Sequence, residues 1–77
     1  MTAFPGFKHW NHRLSGKTYY QSPGGLFAIH RDGATSQWVL ERNVYDDDGR
    51  LRYREHVCST PMASTVTAII STEEEAW

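Results

Sequence analysis

The chain has 77 residues, of which 39% are hydrophobic, 22% charged and 13% aromatic, and its formal net charge is -1. A chain this short buries about 63% of its open surface, enough for one modest core but not for a two-domain enzyme with a cleft between halves. The composition is too aromatic for intrinsic disorder and too polar for a membrane span, and a lone Cys58 excludes an internal disulfide.

No signal-peptide pattern opens the sequence, so a cytoplasmic protein without membrane contact is expected, with residues 1–77 read as a single small domain. The net charge hides an asymmetry. Residues 1–31 carry Lys8, Arg13, Lys17 and Arg31 and no acid, a charge of +4, whereas residues 32–77 sum to -5. The two parts either neutralise each other within one domain or make the chain self-complementary, which leaves a homodimer open.

In chain order, residues 1–16 admit two readings. Phe7, Trp10 and Leu14 have helical spacing, with Gly16 placed to end a short helix. The same stretch, rich in aromatics, also reads as an arm folded over a sheet edge.

Alternation then predicts strands over Lys17 to Gln21, Leu26 to Arg31, Gln37 to Tyr45 and Arg50 to Cys58. Turn chemistry separates them: Ser22-Pro23-Gly24-Gly25, Asp32-Gly33 and Asp46-Asp47-Asp48-Gly49. If Tyr45 faces Arg50 in the last hairpin, Trp38, Leu40, Val44, Leu51, Tyr53 and Val57 form a dry face. Glu41, Asn43, Arg50, Arg52, Arg54 and His56 form a wet one. The expected core is Trp38, Leu40, Val44, Leu51, Val57, Val66, Ile69 and Ile70, with Leu26, Ala28 or their neighbours beside them.

The C-terminal segment is expected to cover the dry face. Thr60 can cap a helix with Pro61 in its first turn, and Met62, Val66, Ile69, Ile70 and Trp77 fall on one stripe. The β-branched run from Thr65 to Ile70 favours a strand instead, and Glu73, Glu74 and Glu75 oppose the helix dipole. The need for a second layer decides for the helix over a strand followed by a helical turn. The expected fold is therefore α+β: a three- or four-stranded antiparallel meander with one face covered by a C-terminal helix.

Few residues suggest chemistry. His9, His12, His56 and Cys58 are of the right types for zinc, but their spacing is unlike paired-cysteine sites and no metal or cofactor is expected. His56 and Cys58 on one strand face would place a thiol beside an imidazole, without an oxyanion hole or an orienting group. The sequence contains no nucleophile elbow, P-loop, zinc-protease or dinucleotide motif, and an enzyme is not expected. The acidic run Asp46-Asp47-Asp48-Gly49 lacks the spacing of a calcium loop.

Binding remains. Arg50, Arg52 and Arg54, spaced i, i+2, i+4 with His56 next, could run along phosphates. In strand order and terminal helix alone the chain resembles the AP2 and integrase N-terminal DNA-binding domains, but no motif residue matches and nothing is carried over from them. The negative net charge opposes nucleic-acid binding through the arginine strand. Three tryptophans, four tyrosines and three phenylalanines exceed what one small core readily holds, and aromatics with arginine recur at protein interfaces. The expected function is a non-catalytic protein-interaction module, with Tyr45, Arg50, Arg52, Arg54 and His56 as binding residues. In size and composition it resembles small bacteriophage proteins that inhibit or redirect host proteins.

Overall fold

Hydrophobic alternation and turn residues give five strands and one helix in the computed structural model, which describes Phe4 and residues 6–74. The strands are β1 (Lys8–Asn11), β2 (Thr18–Gln21), β3 (Phe27–Arg31), β4 (Trp38–Tyr45) and β5 (Leu51–Thr60), followed by α1 (Ala63–Glu73). They form one antiparallel sheet in sequence order, β1-β2-β3-β4-β5, so each strand pairs only with its chain neighbours. The α+β class and the helix-covered face stand as expected, and the strand count rises to five. The additional strand is β1, where His9 and Trp10 pair with Tyr20 and Tyr19. The helical spacing of Phe7, Trp10 and Leu14 is coincidental, and Leu14 is 95% exposed in the β1–β2 loop. No helix among the described residues is long and apolar enough to cross a membrane.

The core lies between the helix and one sheet face. Phe27, Ile29 and Leu40 from the strands meet Val66 and Ile70 from α1, all fully buried. Tyr20, Trp38, Val57, Cys58, Ala63 and Ile69 pack around them. Phe4 is also fully buried, against Tyr20 at 5.2 Å and edge-on to Trp38 at 5.0 Å between ring centroids. Phe4 and Phe7, ahead of β1, thus belong to the core cluster. Burying a phenylalanine side chain this fully contributes about 1.5–3 kcal/mol.

The β4–β5 register departs from expectation in three steps. At the tip, Asp46 Oδ1 accepts the N–H groups of Asp48 and Arg50, and the Asp46 N–H donates to the Arg50 carbonyl. This side-chain-stabilised turn absorbs Arg50, so Tyr45 opposes Leu51. Two bulges follow, with Arg52 and then Val57 as the extra residue: Val44 opposes Tyr53, Asn43 opposes Arg54, Glu41 opposes His56 and Leu40 opposes Cys58.

Leu51 therefore lies away from the helix, 44% exposed, instead of in the core. Tyr53 keeps the helix side but is 52% exposed. The reason is length: eleven helical residues span ~16 Å against ~33 Å for a ten-residue strand. Glu73, at the last helical position, reaches Arg42 at 3.1 Å, so Val44 and Tyr53 lie one pleat beyond the cover. Leu26, at 42% exposure, is also outside the core, whereas Ala28 is fully buried.

The helix begins later than its sequence signal. Thr60 stays in β5 opposite Trp38, its Oγ1 accepting the Met62 N–H at 3.2 Å, and Met62 is the N-cap without a side-chain bond. Met62 is consequently 59% exposed, and Glu75 and Trp77 lie outside the described residues. The β-branched residues are accommodated: Thr67 and Thr72 turn their hydroxyls back to the carbonyls of Ser64 and Ala68.

Glu74 ends the helix and is buried. Its carboxylate accepts the Ser22 hydroxyl at 2.6 Å, the Gly24 N–H at 2.8 Å and the Leu26 N–H at 3.1 Å. An acid at a helix C-terminus opposes the dipole. Here three donors from the β2–β3 turn offset that, joining the C-cap of the helix to the second connection of the sheet. A Cβ on Gly24 would stand 2.6 Å from Glu74 Oε1, so the turn needs glycine for this approach.

Candidate binding face

The sheet face away from α1 is built by alternation. Trp10 opposes Tyr19, Tyr19 opposes His30 and His30 opposes Val39, so one cross-strand row runs over β1 to β4. Lys8, Gln21, Ala28, Glu41 and His56 form the adjacent row, and Asn43 with Arg54 the next.

An aromatic ladder stands on this face. The rings of Trp10 and Tyr19 are stacked at 5.7 Å with 15° between planes. Tyr19 meets His30 at 5.0 Å on its other flank, and the Arg54 guanidinium lies 5.4 Å from its ring centroid. Arg54 belongs to β5 and Tyr19 to β2, so the arginine extends across β4 and β3, over a row where β3 presents only the small Ala28. Its Nε donates to Asn43 Oδ1 at 3.1 Å, and Asn43 in turn donates from Nδ2 to the Gly25 carbonyl at 3.2 Å. A cation stacked on an aromatic ring is worth about 0.5–1 kcal/mol at an exposed site.

His30 is buried beneath this layer, with Nδ1 3.3 Å from Glu41 Oε1. Glu41 is the charged group that faces this buried nitrogen. Burial lowers the His30 pKa below the ordinary histidine value. Lys17 adds to that, while Glu41 and Asp32 oppose it.

The five residues singled out from sequence do not form one stripe. Tyr45 is 43% exposed and donates its hydroxyl to the Gly25 carbonyl at 2.6 Å. Arg50 sits in the turn and Arg52 at a bulge, both exposed. Arg54 alone is drawn into the aromatic ladder. His56 is exposed, 2.9 Å from Ser59 Oγ. The bulge at Val57 puts Cys58 on the helix side opposite Leu40, so His56 and Cys58 do not share a face. His9, on the core side of β1, and His12, in the next loop, are likewise apart from them, and the described residues contain no group of three His, Cys, Asp or Glu able to hold a metal.

Sequence reasoning missed Trp10, Tyr19, His30 and Asn43. The readable signal was Trp10 and Tyr19 flanking the Arg13-Leu14-Ser15-Gly16 connection, a hairpin pair once β1 is taken as a strand.

The architecture defines the class: a five-stranded antiparallel meander, one face covered by a helix and the other open. Comparison of the chain with protein-family models, with curated proteins and with solved structures finds no match.

Proposed function

We propose that this protein is a non-catalytic interaction module that holds a protein partner on its open sheet face, as a small regulator or inhibitor of that partner. The observation that carries this reading is the Trp10–Tyr19–Arg54 ladder. It groups the residue types that dominate interface energetics on a rigid sheet, where ordering them costs little on binding. The exposed Leu26, Tyr45 and Leu51 extend the same surface.

Nucleic-acid binding is the second reading, favoured by the same aromatic and arginine groups. Against it stand the division of Arg50, Arg52 and Arg54 among a turn, a bulge and the ladder, and the three carboxylates of Asp46, Asp47 and Asp48 beside them.

The test is affinity capture quantified by mass spectrometry, comparing wild type with Trp10→Ala and with Glu55→Ala on the opposite face. A specific partner should be lost with Trp10→Ala at unchanged fold and kept with Glu55→Ala. Equal capture by all three would refute the interface. Salt-sensitive micromolar binding of an oligonucleotide would favour the second reading.

A further inference from the structure

Arg54 occupies an unusual position for an arginine in this fold. The ion pairs among the described residues are His30–Glu41 and Arg42–Glu73, and neither uses it. Glu41, the acid on the open face, is turned to His30 instead. Yet the Arg54 guanidinium is held on two sides, by Asn43 at its Nε edge and by the Tyr19 ring at its face. Asn43 is itself fixed by its bond to the Gly25 carbonyl, which orients Oδ1 toward the arginine. The two terminal nitrogens have no acceptor among the described residues. A fork so placed matches a planar carboxylate, which accepts two parallel N–H bonds from it.

The surroundings narrow the choice of ligand. One pleat from the Asn43–Arg54 pair is the Tyr45–Leu51 pair, and Leu26 lies across from Asn43, its carbonyl accepting the Asn43 N–H at 2.8 Å. These three side chains are 42–44% exposed and offer apolar contact. Beyond them stand Asp46, Asp47 and Asp48, which favour a ligand whose negative charge is confined to the arginine over a polyanion continuing in that direction.

We propose that Arg54 is a carboxylate receptor, and that the open face binds a peptide segment bearing an aspartate or glutamate next to apolar residues. This rests on the protein-interface reading above. The acid pairs with the terminal nitrogens of Arg54, and its apolar neighbours lie on Tyr45, Leu51 and Leu26.

The experiment uses two probe peptides, acetyl-Ser-Leu-Glu-Leu-Ser-amide and its glutamine counterpart, titrated against the full chain by calorimetry. Wild type should bind the glutamate peptide at least about tenfold more tightly, the factor expected from one charge-assisted contact. Arg54→Gln should abolish the difference, Arg54→Lys should retain part of it, and Leu51→Ser should weaken both peptides alike. Circular dichroism establishes that the variants are folded, and the comparison in wild type stands whether or not they are. Equal binding of the two peptides, or binding of neither, overturns the proposal. Displacement of the glutamate peptide by a thymidine decanucleotide at equal concentration overturns it in favour of nucleic acid. Partner capture that is lost with Trp10→Ala but kept with Arg54→Gln removes the carboxylate receptor alone, whereas capture indifferent to both removes the interface itself.

Discussion

Replacing Glu74 by glutamine changes one oxygen to an amide nitrogen at nearly constant shape, so it isolates the bonds that join α1 to the β2–β3 turn. In the native protein Oε2 accepts two donors, the Ser22 hydroxyl and the Leu26 N–H, and Oε1 accepts the Gly24 N–H. Glutamine can place its remaining oxygen at the doubly bonded site. Its amide group then meets the Gly24 N–H donor to donor. One unsatisfied donor in a partly buried site costs about 1–3 kcal/mol, and loss of the charge weakens the two remaining bonds.

For a domain of this size that is a fall in Tm of roughly 5–20 °C. Urea unfolding followed by tryptophan fluorescence should show a lower midpoint at unchanged slope. Glu74 and Ser22 should be coupled by about 0.5–3 kcal/mol in a double-mutant cycle with Ser22→Ala. Gly24→Ala should destabilise the wild type, because its methyl group collides with the carboxylate, and do so less in a Glu74→Ala background. A Glu74→Gln stability within about 0.3 kcal/mol of wild type, well below the expected loss, would refute the reasoning.

Three further outcomes are expected. Leu40→Ala should cost about 2–5 kcal/mol, whereas Leu51→Ala should stay within about 0.5 kcal/mol, and equal losses in chemical denaturation would contradict the face assignment. Because the folded His30 binds its proton less tightly than the unfolded chain does, its contribution is fully present above the ordinary value of about 6.5 and is lost as pH falls through its lowered folded value. Stability measured from pH 7.5 to 5 should therefore decline, and His30→Gln should flatten the decline. Ser36 has φ of 60° at the position that Gly16, at 72°, occupies in the corresponding β1–β2 loop. Ser36→Gly should raise stability by up to about 1 kcal/mol, and a loss in thermal unfolding would show that the left-handed serine is not strained.

Much of the fold was legible because its signals are local. Alternation located β2 to β5 within two residues of their ends, and Trp38 and Leu40 were placed on the correct face. The register was not legible, since bulges at Arg52 and Val57 leave no mark in a pattern where Val57 and Cys58 are both apolar. The short strand β1 has one large apolar residue, Trp10, and takes its conformation from pairing with β2. Phe4 and Glu74 were unreadable for another reason: Phe4 packs against Tyr20 and Trp38, and Glu74 bonds to groups about fifty residues earlier. The candidate face was half visible. Arg54 and Tyr45 were identified, but the ladder that Arg54 joins depends on Trp10, Tyr19 and Asn43, whose juxtaposition follows only from strand order.

The two bulges in β5 bear on how the molecule behaves among its own copies. β5 is an edge strand of ten residues, long enough to serve as a template on which another chain could add a strand. The extra residues at Arg52 and Val57 divide that edge into runs of at most four residues and twist each run relative to the next. An incoming strand would have to reproduce both interruptions to pair along the whole length. The bulge at Arg52, which sets Arg54 on the open face, and the bulge at Val57 thus help keep concentrated protein from joining edge to edge into extended sheets.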